Sequence, residues 1–139
     1  MSTKYFVPLG DNIGQSLKTM LDQQGVAIIP GVIDQQECDN ILSGMWDYFE
    51  HISQAWITPI KRNDLASYSG MYDMLPQHSM LFQHYSVGHC QASWDVRQNP
   101  KIVNIFADLW SCKKEELLVS FDGLSFNMPP EDTSHGGLV

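Results

Sequence analysis

The order of helical and strand-like segments constrains the fold of this chain most. Helical patterns of apolar residues occupy 11–24, 34–52 and 99–112, whereas strand-like runs occur at 26–29 and then only over 117–128. A closed β-sandwich needs about seven or eight strands, and this sequence offers three or four candidates. The pattern therefore predicts an α+β chain with N-terminal helices and the first strands of a sheet that remains incomplete.

Composition places the chain among ordinary globular proteins. Its 139 residues are 43% hydrophobic and 11% aromatic, which argues against intrinsic disorder and predicts a single domain over residues 1–139. Eight Lys and Arg stand against 16 Asp and Glu, a net charge of −8. Because a negative field repels phosphates and anionic lipid, the sequence predicts no nucleic-acid partner and no membrane partner.

The sequence also predicts a cytoplasmic protein. No run of about 18 apolar residues occurs, and the N-terminal segment lacks the apolar core of a signal peptide. The three cysteines, an odd number, form no CxxC pair. This cysteine usage argues against a disulfide framework and favours a reducing compartment.

The first two elements have clear boundary signals. Asp11 is the expected cap of the 11–24 helix, and Gly25 is the expected stop. The apolar run 26–29 ends at Pro30-Gly31, which predicts a short buried strand.

Two further helices begin at recognisable caps. Asp34 and Glu37 form a capping-box pattern that opens a helix to about residue 52, and Gly44 within it indicates a close helix contact. Asn99-Pro100 predicts another helix start, with the helix running to about Cys112.

The remaining segments are less regular. Over 53–90 we expect one short helix near 64–74 and loops elsewhere. Residues 117–122 resemble a strand, and 123–128 resemble its continuation or a second strand that stops at Pro129.

Three histidines in the middle of the chain raise the question of a metal site. His78, His84 and His89 are separated by six and five residues, whereas zinc ligands come in closely spaced pairs. Partly buried structural histidines are the favoured interpretation, and a metal site is the alternative. Neither His-x-Asp nor His-x-Glu, the compact half of a non-haem iron triad, occurs at any histidine.

Other catalytic motifs are missing from the sequence. Cys90 follows His89 directly, but sequence neighbours rarely adopt the in-line geometry of a thiol nucleophile and its base. No GxSxG, Walker A or GxGxxG motif occurs. The sequence therefore assigns no catalytic residue and no metal ligand.

Asp122 interrupts an apolar strand-like run between Phe121 and Gly123. By strict alternation it lies on an exposed face, where it is solvated or hydrogen-bonded. Alternatively, it points towards a polar site inside the fold. The first interpretation is favoured, and the second stays open.

Several motifs in a fixed order resemble a known enzyme family. They are the segments 25–34 (GVAIIPGVID), 88–101 (GHCQASWDVRQNPK), 106–110 (FADLW), 117–123 (LLVSFDG) and 129–130 (PP). Together they resemble the phytanoyl-CoA dioxygenase family of Fe(II)- and 2-oxoglutarate-dependent oxygenases, over about residues 15–132. Each motif alone is common, and their order and spacing make the resemblance specific.

The resemblance implies a fold, cofactors and a set of residues near the cofactor. The family fold is a double-stranded β-helix, or jelly roll, with N-terminal helices, and this chain resembles its N-terminal half. The family binds iron through a His-x-Asp motif and a later His, and a distal Arg or Lys binds the 2-oxoglutarate carboxylate. None of these metal ligands, nor the cofactor-binding cation, has a counterpart in this sequence. The resemblance implies that Asp122 and Leu124, and less directly His89 and Gln91, line the cofactor side.

Three hypotheses of function follow. The first is the N-terminal portion of a dioxygenase that would hydroxylate a small organic or lipid-like substrate, inactive as this chain and binding neither Fe(II) nor 2-oxoglutarate tightly. The second is a non-enzymatic binding or assembly module that forms a homodimer through an open sheet edge. The third is a protein that binds a metal through the histidines in the middle of the chain.

Overall fold

Four α-helices and a two-stranded sheet form the main regular structure of residues 3–74 and 81–127, which this computed structural model describes. The α-helices are α1 (Ile13–Gln24), α2 (Gln35–Ser53), α3 (Gln91–Arg97) and α4 (Pro100–Trp110). Short 3₁₀ helices cover Thr3–Tyr5, Leu65–Met74, Val87–His89 and Lys114–Glu116. The strands are β1 (Leu81–Phe82) and β2 (Leu124–Ser125). The chain is therefore α+β, and none of the helices in the described ranges has the length and apolar character needed to cross a bilayer.

Contacts along the chain group into two compact units. The helical unit comprises Met1–Cys38 and Asp95–Val119, and the aromatic unit comprises Asp39–Trp94 and Ser120–Val139. Each unit has its own cluster of buried apolar side chains. That the whole chain behaves as one domain stays a prediction.

In the helical unit, α1 packs closely against α4. A Cβ placed on Gly14 would lie 2.2 Å from the carbonyl oxygen of Asp108, so only glycine permits this approach. Val7, Ile13 and Leu17 form the buried cluster. Gly25 ends α1 in the left-handed conformation at φ 70°, as predicted.

The predicted cap of α1 is wrong. Asn12, not Asp11, stands at the cap position, with φ 61° and no capping hydrogen bond from its side chain. In this left-handed conformation the backbone N–H groups of Gln15 and Ser16 bond instead to the Asn12 carbonyl oxygen.

The predicted buried strand at 26–29 is also wrong. One parallel bridge joins Phe6 to Ile28, with Ile28 N–H donating to Tyr5 O and Val7 N–H donating to Ile28 O, both at 2.8 Å. Ile28 is exposed, whereas Ile29 packs against the cluster. The run 26–29 is therefore only half-buried, because a single residue pair joins it to a neighbouring segment.

The capping box of α2 is confirmed. Glu37 N–H donates to Asp34 Oδ1 at 2.9 Å, and Asp34 N–H donates to Glu37 Oε2 at 2.8 Å. From the start of α4, Lys101 Nζ reaches Glu37 Oε2 at 2.6 Å and Asn99 Nδ2 reaches Glu37 Oε1 at 3.1 Å. Asn99 also caps α4 as predicted, accepting from Lys101 N–H. Glu37 therefore links the starts of α2 and α4.

This arrangement predicts acid sensitivity. The bonds to Lys101 and to the Asp34 N–H lower the pKa of Glu37 from 4.5 to about 2. A carboxyl whose pKa is lower in the folded state stabilises that state above its unfolded pKa and loses this effect as the pH falls towards the folded pKa. We expect the free energy of unfolding to fall between about pH 4.5 and pH 2, and less steeply in Glu37→Gln.

Urea titrations at several pH values measure this slope. Glu115→Gln, at an exposed position of the same unit, is the matched control and should keep the wild-type slope. An unchanged slope in Glu37→Gln would contradict the assigned role of Glu37.

The aromatic unit is built around Phe49, which is fully buried. Its ring lies 4.9 Å from that of Phe126 and 5.6 Å from that of Phe82, measured between centroids. The short helix expected near 64–74 is confirmed as a 3₁₀ helix, and it adds Met71 and Met74 to this cluster. Gly44 makes the close contact predicted for it, since a Cβ there would lie 3.2 Å from that of Ala92.

The predicted strand at 117–122 is wrong. Leu117 ends the Lys114–Glu116 turn, Leu118 is 98% exposed, and strand pairing begins only at Leu124. Of the segment 123–128, Leu124 and Ser125 form β2, which pairs antiparallel with β1 in the register Leu81–Ser125 and Phe82–Leu124. Within the described part of the chain, residues 117–122 have no partner strand, so this apolar segment does not form a strand.

Candidate functional site

The residues predicted to line a cofactor pocket all lie in the aromatic unit. His89 ends the Val87–His89 turn, and Gln91 begins α3. Asp122 precedes β2, and Leu124 begins it. The candidate site therefore consists of the turn before α3 and the segment before β2.

These two segments touch through a glycine. A Cβ on Gly88 would lie 2.3 Å from the carbonyl oxygen of Asp122 and 2.7 Å from that of Phe121. Real Cβ atoms do not approach carbonyl oxygens this closely, so Gly88 is required for the backbone contact.

Aromatic rings cover the same contact. The His89 imidazole stacks on the Phe121 ring at 4.7 Å and 20°, and the Trp94 ring lies 5.4 Å from Phe121. His89 and Phe121 are both exposed. We call the surface formed by His89, Trp94, Phe121 and Asp122 the His89–Phe121 face. It offers stacking surface and one carboxylate to a ligand.

Asp122 is exposed and hydrogen-bonded. Its Oδ1 accepts from the Gly123 N–H at 2.8 Å and from Gln83 Nε2 at 3.2 Å. Asp122 is thus exposed and hydrogen-bonded, as the favoured interpretation expected, but it lies in a loop before β2 and not in an alternating strand. Its part in binding a cofactor stays a prediction.

The other two predicted residues differ in their placement. Leu124 is half-buried, packs against the aromatic cluster and pairs with Phe82 across the sheet. Gln91 is exposed in the first turn of α3, two residues beyond His89. The structure thus places His89 against the segment before β2. Leu124 follows that segment as the first residue of β2, and Gln91 lies in the first turn of α3.

Two tyrosines missed by the sequence analysis support the turn that carries His89. The Tyr48 hydroxyl donates to the Tyr85 carbonyl oxygen, and the Tyr85 hydroxyl donates to the Asp73 carbonyl oxygen at 3.2 Å. Tyr85 and Ser86 have positive φ values of 57° and 58°, which non-glycine residues rarely adopt. Burial raises the pKa of Tyr48 to about 12, so its hydroxyl stays protonated and remains a donor.

The described residues do not fit an iron site. A facial triad takes two histidines and one carboxylate, and no group of three potential ligands occurs within residues 3–74 and 81–127. The His89 ring stacks on Phe121, and Asp122 already accepts two hydrogen bonds. His78, which belongs to the predicted histidine group, lies outside the described residues.

The Cys90 thiol is placed as a packing group. It is buried, with its sulfur 3.2 Å from Ser93 Oγ and 3.9 Å from Met45 Sδ. Neither neighbour is a base, so these contacts do not activate a nucleophile.

Comparison with known proteins gives one partial similarity. "Ava biosynthesis cluster protein O" from Aspergillus versicolor is 39% identical to this chain over 46 residues, 33% of this chain. The matched segment spans 14% of the length of that relative. No family model matches the chain, and no solved structure matches it.

Proposed function

We propose that this chain is the N-terminal portion of an Fe(II)- and 2-oxoglutarate-dependent oxygenase of the phytanoyl-CoA dioxygenase type. The supporting observation is the contact between Gly88-His89 and Phe121-Asp122. These residues belong to two motifs of the resemblance, at 88–101 and 117–123, which are separate in the sequence. Their packing against each other is what one wall of a shared pocket requires.

In this proposal the chain supplies a wall and not the iron ligands. The His89–Phe121 face provides stacking surface and a carboxylate, Leu124 provides apolar surface beside it, and Gln91 provides an amide. β1 and β2 are the start of a jelly roll whose other strands come from elsewhere in the full protein. Because the described donors do not fit iron, the metal and 2-oxoglutarate depend on residues outside this set.

A small organic or lipid-like substrate is part of this proposal, and two points support it: the resemblance and the partial similarity to the Aspergillus versicolor protein. The name of the similar Aspergillus versicolor protein refers to a biosynthesis cluster. A small organic or lipid-like substrate suits such a context, and the aromatic rings of the His89–Phe121 face could pack against it.

A binding titration tests this proposal. We would titrate 2-oxoglutarate with Fe(II), without oxygen, into the 139-residue chain and into a chain continued along the reading frame beyond Val139. We expect saturable binding by the longer chain alone. In the longer chain, His89→Ala should weaken binding about tenfold, as loss of a well-packed polar contact does.

His84→Ala is the matched control, because His84 is an exposed histidine five residues before His89 and outside the His89–Phe121 face. It should bind as wild type. Failure of the longer chain to bind 2-oxoglutarate, or equal effects of both variants, would contradict the proposal.

The unpaired apolar segment supports a second candidate function, an assembly module that forms a homodimer. Residues 117–122 have a strand-like sequence without a partner strand in the described ranges, and Leu118 is 98% exposed. A segment of this kind pairs readily with a second copy of itself.

Sedimentation equilibrium tests the second candidate. A homodimer would dissociate on Leu118→Asp, because a charge on an unpaired segment opposes strand pairing. Ile57→Asp, at another fully exposed apolar position, is the control and should leave the dimer intact. A monomeric wild-type chain would exclude this candidate.

A further inference from the structure

The helical unit contains a cleft that none of the functions proposed above uses. Its volume is about 390 Å³, within the range of small-molecule sites, which runs from about 300 to 1,000 Å³. The residues before α1, the turn at 31–34 and one side of α4 form its walls.

Most of the lining is apolar. Its apolar side chains are those of Leu9, Ile13, Val32 and Ile105. This lining can cover a short hydrocarbon body, and burial of each CH₂ group contributes about 0.8 kcal/mol.

The polar groups of the cleft leave a negative charge available. Lys101 lines the cleft, but its ammonium group is 2.6 Å from Glu37 Oε2 and 3.9 Å from Asp34 Oδ2. Asp108 lies seven residues after Lys101 on α4, and its carboxylate has no hydrogen bond or ion pair to any residue within 3–74 and 81–127. The cation is therefore neutralised, whereas one carboxylate at the cleft is not.

A carboxylate ligand would fit poorly. It would have to take Lys101 from Glu37, which also receives hydrogen bonds from Asn99 and from the Asp34 backbone. It would then lie beside Asp34 and Asp108, and like charges repel. An ammonium ligand meets neither obstacle.

We propose that this cleft binds an organic ammonium ion, a primary amine on a short apolar body. The ammonium group pairs with the Asp108 carboxylate, with the Asn104 amide oxygen as a second acceptor, and the hydrocarbon body lies against Ile13 and Ile105. The site is independent of the His89–Phe121 face.

Chemical-shift titrations of the full 139-residue chain with n-hexylammonium, hexanoate and hexanol test the proposal. We expect saturable shifts at cleft residues with n-hexylammonium, and much weaker shifts with the anion and the alcohol. Asp108→Asn should weaken n-hexylammonium binding about tenfold, the effect of losing one charge-assisted hydrogen bond.

Asp22→Asn is the matched control, because Asp22 is an exposed carboxylate on α1 outside the cleft. Gly10→Leu is a second test, since Gly10 lines the cleft and a Cβ there meets nothing within 4 Å. It should reduce binding by occupying the cleft. Equal binding of hexanoate, absence of saturable shifts with n-hexylammonium, or wild-type affinity in both cleft variants would overturn the proposal.

Discussion

Gly88→Ala is expected to lower the free energy of unfolding by about 3 kcal/mol, at the upper end of overpacking effects. The new methyl group would lie 2.3 Å and 2.7 Å from two backbone carbonyl oxygens, so the turn before α3 and the segment before β2 would have to separate. Because backbone relaxes less readily than a flexible side chain, the contact under the His89–Phe121 face would be lost.

Urea unfolding followed by tryptophan fluorescence measures this effect, since Trp94 lies against Phe121. Gly10→Ala is the control, because a Cβ at Gly10 has open space around it and should change stability by less than about 0.5 kcal/mol. Wild-type stability of Gly88→Ala would mean that these two segments do not touch.

Phe49→Ala should destabilise the chain by about 4 kcal/mol, within the range for buried aromatic residues. Phe49 is fully buried and lies within 6.3 Å, centroid to centroid, of the rings of Trp46, Tyr48, Phe82 and Phe126. Removing the ring leaves a cavity that these rigid neighbours cannot fill completely. Urea titration at about 25 °C measures this loss, and calorimetric melting should show a lower melting temperature.

Tyr72→Ala provides the comparison for Phe49. Tyr72 is 53% exposed in the same unit, so its loss should cost less than about 1 kcal/mol. Phe49→Leu should recover part of the loss, because it refills part of the cavity. Equal effects of Phe49→Ala and Tyr72→Ala would contradict the placement of the aromatic core.

The helix boundaries that the sequence predicted correctly depend on neighbouring residues. Asp34 with Glu37, Asn99 with Pro100, and Gly25 each fix a helix end through atoms within three or four residues. Such interactions can be deduced from spacing alone, because both partners are visible in one short window.

The strand predictions at 26–29 and 117–122 failed because pairing depends on distant residues. The runs at 26–29 and 117–122 have the composition of strands, but the first forms a single bridge and the second forms none within the described ranges. Composition alone cannot show whether a partner strand exists. Helix α3 was missed for another reason, since only Ala92 is buried in its seven residues and the apolar periodicity is weak.

The candidate site was only partly predictable. Asp122 stood out as a carboxylate in an apolar run, and His89 through the resemblance. The stacking of His89 on Phe121 joins residues 32 positions apart, and no local pattern indicates it. The supporting hydrogen bond from Tyr48 to Tyr85 is equally non-local.

The reading frame beyond the codon for Val139 tests the proposed function most directly. We expect it to continue into a His-x-Asp motif and a later histidine, which would complete a facial triad. A stop codon directly after Val139 would contradict the oxygenase proposal and would favour the assembly module.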